Sequence, residues 1–461
     1  MTSSTDTDLR RAKVRPRLHD RPIPVLVHAG AILALGLGAI AAPFLVLALG
    51  TRPVSGGPIW DFSMGLGFGA LGLAALQFAM TGRLRWITHP FGADIVYLAH
   101  RYLSWGAVIL MLGHFALLYV FYQPALGVLN PFEARWELTA GRVSLACFLG
   151  LIMTSEFRKR LNLRHEWWRS LHLVLAITAM LAGIAHILGV GNLTDTAAKR
   201  TLWLGVTLGF VAVLLHTHVI RPWWLSRNSW RVVANTEERG GVHTLQLAPE
   251  GAALKRWKPG QFAWLKVARS PYSLIEHPFT ISTAPEKGPE LAFSIKPLGD
   301  HSSALTKTEI GARAYVDGPY GAFSIDRMHD AEGFVMIAGG VGITPILSNL
   351  HALLARGDRR RIILIYGSPN WEEASFRDEL EAMKRDLDLT VIHVLQDAQK
   401  GWEGPTGFID REVLISHLPA DTRGWPHLLC GPGPMLGTLC AELADLGVAD
   451  RHIDYEIFEL V

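Results

Sequence analysis

At 461 residues the chain has room for two or three domains. Its formal net charge of +3 is small for that length, and the basic residues gather at the margins of apolar stretches rather than in a stripe, which speaks against a nucleic-acid partner. A mean hydropathy of +0.23 with 18% charged residues lies between the values of a soluble enzyme and of a pure transporter, and the hydropathy divides sharply near residue 220.

In chain order, a basic tail over 1–24, carrying Arg10, Arg11, Lys13, Arg15, Arg17 and Arg21, precedes six apolar spans of roughly bilayer length. They cover about 25–49, 60–80, 95–120, 141–157, 168–190 and 201–220, the fourth being short. The first is too long for a signal-peptide core and lacks a cleavage pattern, so it reads as a retained helix. Arg83 and Arg85 mark the second loop, and Arg158, Lys159, Arg160, Arg164 and Arg169 mark the fourth. The other loops hold only Arg52, then Arg135, then Lys199 with Arg200. Positive residues stay inside, which predicts a multi-pass protein of the inner (plasma) membrane, with the lipid bilayer as a partner and both termini cytoplasmic. The third and fifth spans then run parallel, both outward.

Those two spans each carry two histidines at one spacing: His100 and His114, then His172 and His186. At about 3.6 residues per turn this spacing is close to four turns, a rise of about 21 Å, so both members of a pair share a helix face. A lone histidine in a membrane helix is ordinarily a packing residue. Ionisable groups at that depth are costly, however, and face the bundle interior, and two matched pairs meet the need of a haem for one imidazole from each of two facing helices. The four read as metal ligands of two stacked b-type haems, His100 with His172 on the inner side and His114 with His186 on the outer. Gly67, Gly69 and Gly72 fit a G-x-G-x-x-G spacing, but inside the second span, where close helix packing is the reason. Cys147, Cys430 and Cys440 imply no disulfide framework, and no internal repeat stands out.

After Arg221-Pro222 the pattern changes to short β-type runs broken by Gly and Pro, among them WRVVANTEERGGVHTLQLAP, GQFAWLKV and ELAFSIKPL. These predict a small antiparallel β-barrel over 227–327. From residue 331 apolar strands alternate with helical patterns (FVMIAGG, TPILSNLHALLARG, RIILIYGS, FRDELEAMKRDL, LTVIHVL), which predicts an α/β domain with a parallel sheet over 331–461. The whole is an all-α transmembrane bundle of six helices over 25–222, followed by a β-barrel and an α/β domain.

Several motifs stand in the second half. His277-Pro278-Phe279-Thr280 offers an aromatic wall and a placed hydroxyl at a strand end. Lys296, Gly299, Ser302 and Ser303 follow in SIKPLGDHSSAL, then the turn Asp317-Gly318-Pro319-Tyr320-Gly321. Gly339-Gly340-Val341-Gly342-Ile343-Thr344-Pro345 joins an apolar strand to a helix, where backbone can approach a phosphate and free amides can receive it. Cys430-Gly431-Pro432-Gly433-Pro434-Met435 follows the strand HLLC, and Glu456 and Phe458 lie near the C-terminus. In these motifs residues 230–461 resemble the ferredoxin-NADP reductase superfamily. With the histidine ladder, the whole chain resembles the NADPH oxidase and ferric reductase family.

The resemblance implies FAD, two haem b groups and NADH or NADPH as cofactors, and an oxidoreductase that passes electrons outward across the membrane. Phe279 is expected against the isoalloxazine, Thr280 near its reactive nitrogen and His277 toward the pyrophosphate. Lys296, Ser302, Ser303 and the amides around Gly299 are expected to hold that pyrophosphate. Gly339, Gly340, Gly342, Thr344 and Pro345 are expected at the nicotinamide nucleotide, with Cys430, Gly431 and Pro432 near its ring. Glu456 and Phe458 match the family's E-x-F ending, in which the aromatic covers the flavin, although Leu460 and Val461 extend beyond it. Cys430, Phe458 and Thr280 thus form the expected catalytic group. NADPH-using relatives carry an arginine soon after a Tyr-Gly pair, whereas Tyr366-Gly367-Ser368 here continues with Pro369 and Asn370. NADH is therefore expected to be used, along with NADPH, with Arg377 or Arg359 to Arg361 as residues that could compensate. Dioxygen, giving superoxide, is the first choice of small electron acceptor. Ferric or cupric reduction, or delivery to a quinone or a periplasmic partner protein, are the alternatives.

Overall fold

The computed structural model describes residues 56–83, 92–191 and 194–458, with four further positions between 34 and 41, and side chains in the second stretch from residue 96. The basic tail and nearly all of the first expected span lie outside the described residues, as do Leu460 and Val461. The chain divides into two compact units, one within 23–222 and one from 223 onward.

The first unit is helical: α1 (Pro58–Thr81), α2 (Gly92–Phe121), α3 (Trp136–Glu156), α4 (His165–Val190) and α5 (Ala197–Leu215), the last running into a π-helical turn, His216–Ile220. Five helices among the described residues are long and apolar enough to cross a membrane. Six were expected, and the missing one falls where the chain is not described. The fourth span, read as short, is a full helix because Trp136, Glu137 and the residues after them form an additional turn ahead of the apolar run. Start and stop signals are local: Pro58 opens α1 with Asp61 in its first turn, Thr196 caps α5, and Gly191 ends α4 in the left-handed region at φ 70°. Arg101 in α2 and Glu156 in α3 form a two-pronged ion pair, with bonds of 2.9 and 2.8 Å.

The second unit begins with six antiparallel strands: β1 (Trp230–Glu237), β2 (His243–Pro249), β3 (Phe262–Val267), β4 (His277–Thr280), β5 (Leu291–Ile295) and β6 (Arg313–Tyr320), in the order β4-β3-β6-β1-β2-β5. The two edge strands meet through an Ile281–Phe293 bridge and a Ser282 N–H to Ala292 carbonyl bond of 2.8 Å, so the sheet closes into a barrel. Alternate residues of the strands, among them Val232, Leu245, Leu265, Phe293 and Val316, fill its interior. The Asp317-Gly318-Pro319-Tyr320 segment, expected as a turn, instead forms the end of β6. It bonds to β3 across a register shift between Phe262 and Trp264, and a Cβ on Gly318 would come within 2.7 Å of Ala263, so only glycine allows that pairing.

Five parallel strands follow: β7 (Gly333–Gly339), β8 (Arg361–Ser368), β9 (Leu389–Leu395), β10 (His427–Gly431) and β11 (Ile453–Ile457), in the order β11-β10-β7-β8-β9. Phe334, Met336 and Ala338 face one core with α6 (Ile343–Ala355), while Val335 and Ile337 face the other with α7 (Gly433–Asp445). A strand covered on both faces must be apolar on both, which explains the unbroken run FVMIA.

Two histidines of this sheet are held neutral. Burial pushes His427 and His393 down to about 4 from the ordinary 6.5. An unfolded chain gains protons below pH 6.5 that the folded one refuses, so stability present above that pH drains away as pH falls toward 4, by about 3 kcal/mol for each group. The melting temperature of the full chain should fall between pH 7 and pH 5, and less steeply in His427→Gln; an unchanged slope in the variant would refute the assignment.

Candidate functional site

The histidine ladder is brought together as the spacing requires. The rings of His100 and His172 face each other with centroids 6.3 Å apart, tilted by 60°. A metal ion bonded to both rings, at about 2 Å on each side and roughly 1.1 Å from each nitrogen to its centroid, gives a separation close to 6 Å. His114 and His186 line one cavity of about 1060 Å³, counting its open mouth, together with Gly67, Phe68, Met111, Gly141 and Arg142. His100 thus lies opposite His172, and His114 shares a cavity with His186, so α2 and α4 run parallel.

Each outer ring is oriented by the main chain of the neighbouring helix. His114 Nδ1 lies 2.8 Å from the Ser63 carbonyl in α1, and His186 Nδ1 lies 2.8 Å from the Glu137 carbonyl in α3. Carbonyls only accept, so Nδ1 carries the proton and Nε2 keeps its lone pair for a metal. Glycines make room for the rings: a Cβ on Gly141 would sit 2.8 Å from His186, and one on Gly67 3.3 Å from His114. Arg142, one residue beyond Gly141, donates to the carbonyls of Leu126 at 2.6 Å, Val128 at 2.8 Å and Leu129 at 3.2 Å, and so ties that loop beside the cavity. Sequence reasoning missed Ser63, Glu137, Gly141 and Arg142. Carbonyl acceptors leave no side-chain signal, but a glycine and an arginine side by side in an apolar span could have been noticed.

In the second unit, strand β4 carries the whole HPFT motif. Thr280 is buried, and its hydroxyl has no hydrogen-bond partner among the described residues. Such a group ordinarily has one, so a bound ring with a polar nitrogen fits it. Phe279 is half-buried beside the barrel core, and the His277 ring stacks on that of His301 with centroids 3.9 Å apart. Lys296 and the serines of the expected pyrophosphate cradle have partners within the protein. Lys296 Nζ lies 3.2 Å from Glu373, and the Ser302 hydroxyl accepts from the amides of Leu298 and Gly299 at 2.9 and 3.0 Å, tightening its own turn. Ser303 donates its amide to the Gly299 carbonyl at 2.9 Å.

The order in which the chain adds its parallel strands reverses between β7 and β10, and the crevice beyond the carboxyl ends of the strands at such a point is where nucleotides bind. Gly339, Gly340 and Gly342 lie there at the entrance to α6, with Cys430, Gly431 and Pro432 beside them. A Cβ on Gly342 would come within 2.4 Å of the Cys430 carbonyl oxygen, whereas Gly340, at φ 55°, has open space around it for an approaching group. Thr344 and Pro345 are buried in the first turn of α6, the Thr344 hydroxyl bonded to the Val341 carbonyl at 3.1 Å. Strand β11 runs beside β10 and pairs Glu456 with Cys430, after which the Phe458 amide donates to the Gly431 carbonyl at 3.0 Å. Phe458 thus reaches the same edge as Cys430, and Glu456 lies near Gly321 at the end of β6.

The arginines that could compensate for Pro369 and Asn370 are committed elsewhere. Arg377 stacks on Trp371 with its guanidinium carbon 4.4 Å from the ring centroid, bonds the Trp371 carbonyl at 2.5 Å and is 8% exposed. Arg360 grips Asp358 and Arg359 bonds the Asp386 carbonyl. Arg361 opens β8 at the end opposite the crevice.

Three family matches follow the same order. Residues 66–183 match the ferric reductase like transmembrane component, 242–324 an FAD-binding domain, and 336–441 an oxidoreductase NAD-binding domain. The chain is 35% identical over 165 residues to NADH-cytochrome b5 reductase 1 of Aspergillus terreus, covering 34% of this chain and 55% of that protein. It is 28% identical over 255 residues to a flavohemoprotein of Bacillus anthracis, covering 51% and 61% respectively. It therefore spans little more than half the length of these relatives. Among solved structures, the flavohem-like FAD/NAD binding domain of nitric oxide dioxygenase from Vibrio cholerae matches with a TM-score of 0.45 at 23% identity, over 50% of this chain and 98% of that one. A ferric reductase-like transmembrane component joined to an FAD-binding and an NAD-binding domain gives this chain the architecture of the NADPH oxidase and ferric reductase family.

Proposed function

We propose that the protein carries electrons from a nicotinamide nucleotide on the cytoplasmic side to a small acceptor on the outer side, with dioxygen, giving superoxide, as that acceptor. The facing histidine pairs carry this reading, above all the 6.3 Å separation of His100 and His172. FAD, when bound, takes an electron pair from the nicotinamide and releases electrons singly, and haem b between the imidazoles carries single electrons.

The chain's own residues bind and orient. Thr280 and Phe279 would hold the flavin ring, Gly340 and the first amides of α6 the nucleotide phosphates, and Cys430 with Phe458 the nicotinamide edge. No side chain is needed as nucleophile or general acid. With an imidazole on each side to hold the group, His114 and His186 would leave an acceptor to approach it at its edge. The fixed guanidinium of Arg142 beside the outer cavity favours an acceptor that becomes an anion on reduction.

NADH is the favoured donor. Around the segment after β8 the cations are already engaged: Arg377 is locked against Trp371, and Lys296 is paired with Glu373, which leaves neither to receive a 2′-phosphate. The relative from Aspergillus terreus is named for NADH. A kcat/KM for NADH at least about tenfold above that for NADPH, worth about 1.4 kcal/mol, is expected; an advantage for NADPH would refute it.

The function is tested on protein purified in detergent with FAD and NADH. Haem reduction is followed without oxygen, and then oxygen or a ferric chelate is admitted. Cytochrome c reduction that superoxide dismutase suppresses supports the oxidase. Fast reoxidation by chelate with slow reoxidation by oxygen makes it a metal reductase, and a preparation with no b-type spectrum ends the proposal.

A further inference from the structure

We infer that the bundle treats its two imidazole pairs unequally: the main-chain carbonyls of Ser63 and Glu137 clamp the outer pair, His114 and His186, into an electron-rich and orientation-locked state that the inner pair lacks. A metal held by the outer pair therefore has the lower reduction potential. This rests on the reading of the four histidines as axial ligands.

The asymmetry lies in the second ring nitrogen. Both outer rings have a carbonyl 2.8 Å from Nδ1. On the inner side, among the described residues, His172 Nδ1 has only the Ser155 hydroxyl at 3.4 Å, and the buried His100 Nδ1 has no hydrogen-bond partner. A contact of 3.4 Å is at the weak limit of a hydrogen bond, whereas 2.8 Å is short and strong. An imidazole that donates its other N–H to a carbonyl becomes a stronger base toward the metal. Stronger donation stabilises the oxidised metal, which lowers its potential.

The clamp is built twice. In α1 the carbonyl of Ser63 is followed one turn later by Gly67 against the His114 ring, and in α3 the carbonyl of Glu137 is followed one turn later by Gly141 against the His186 ring. Ser63 is fully buried and Glu137 is 3% exposed, so water does not compete for either bond. Two helix hairpins carrying one device at one level of the bundle, and not at the other among the described residues, point to a role at that level.

The test is a redox titration of the purified holoprotein, followed through its visible haem bands. Two components are expected, and the one missing in His114→Ala should be the one of lower potential. Coincident potentials, or loss of the higher component, would overturn the inference. Gly141→Ala places a methyl 2.8 Å from the His186 ring and should push it off the Glu137 carbonyl. The outer potential should then rise while the inner stays where it was, and an unmoved outer potential refutes the clamp. If that variant loses its haem, Gly67→Ala, with its looser 3.3 Å contact, is titrated instead with the same expectation. A preparation without bis-imidazole spectra refutes the ligand reading itself, whereas such spectra with equal potentials refute the clamp alone.

Discussion

His114→Ala should leave flavin reduction by NADH at the wild-type rate while cutting reduction of the outer acceptor at least about 100-fold, equivalent to about 2.7 kcal/mol or more of barrier. His114 faces the outer cavity with His186 and is positioned by the Ser63 carbonyl, so alanine removes one of the two imidazoles there. The inner pair lies about four helical turns, roughly 21 Å, along the same helix and keeps its own ring contact. The b-type absorbance should fall to about half, and stopped-flow traces should retain the flavin phase. A variant that kept the whole absorbance and still reduced its acceptor would remove His114 from the electron path.

Gly342→Ala should have the converse effect. Its Cβ would meet the Cys430 carbonyl oxygen at 2.4 Å and the Gly431 amide nitrogen at 2.9 Å, and both partners are backbone that cannot swing aside. The crevice between β7 and β10 must open, which displaces the first amides of α6 from any phosphate they receive. A loss of about 100-fold in kcat/KM for NADH, about 2.7 kcal/mol, is expected. Electrons supplied chemically to the flavin should still reach the membrane unit at the ordinary rate. Unimpaired reduction of the flavin by NADH in this variant would show that Gly342 does not shape the nucleotide site. The two substitutions therefore cut the same path at opposite ends, and each leaves the other half as an internal control.

The histidine ladder was legible because helical period is a local property, and a spacing of fourteen residues returns a side chain to the same face in any straight helix. Hydropathy and loop charge likewise act locally, so the later spans stood out, although their ends shifted by several residues where Trp136 and His165 joined their helices. The glycine loop after β7 and the HPFT strand were visible because a strand-to-helix junction and an aromatic-hydroxyl pair carry their chemistry in side chains or in their absence. Lys296 illustrates the limit. Its charge and its neighbouring turn suggested a phosphate cradle, but its partner Glu373 comes from the turn after β8, more than seventy residues on, and could not be foreseen. Arg377 is similar, since only packing reveals that Trp371 holds it.

By itself the sequence determined which helix faces carry imidazoles, which strands are covered on both sides and where backbone lacks a Cβ, because each follows from periodicity or residue type. The tertiary structure alone decided that Cys430 lies against Gly342, since strand order in a parallel sheet depends on which crossovers pack. It also decided that the outer imidazoles meet the carbonyls of Ser63 and Glu137. Every residue has a carbonyl, and only the placement of neighbouring helices selects the one that orients a ring.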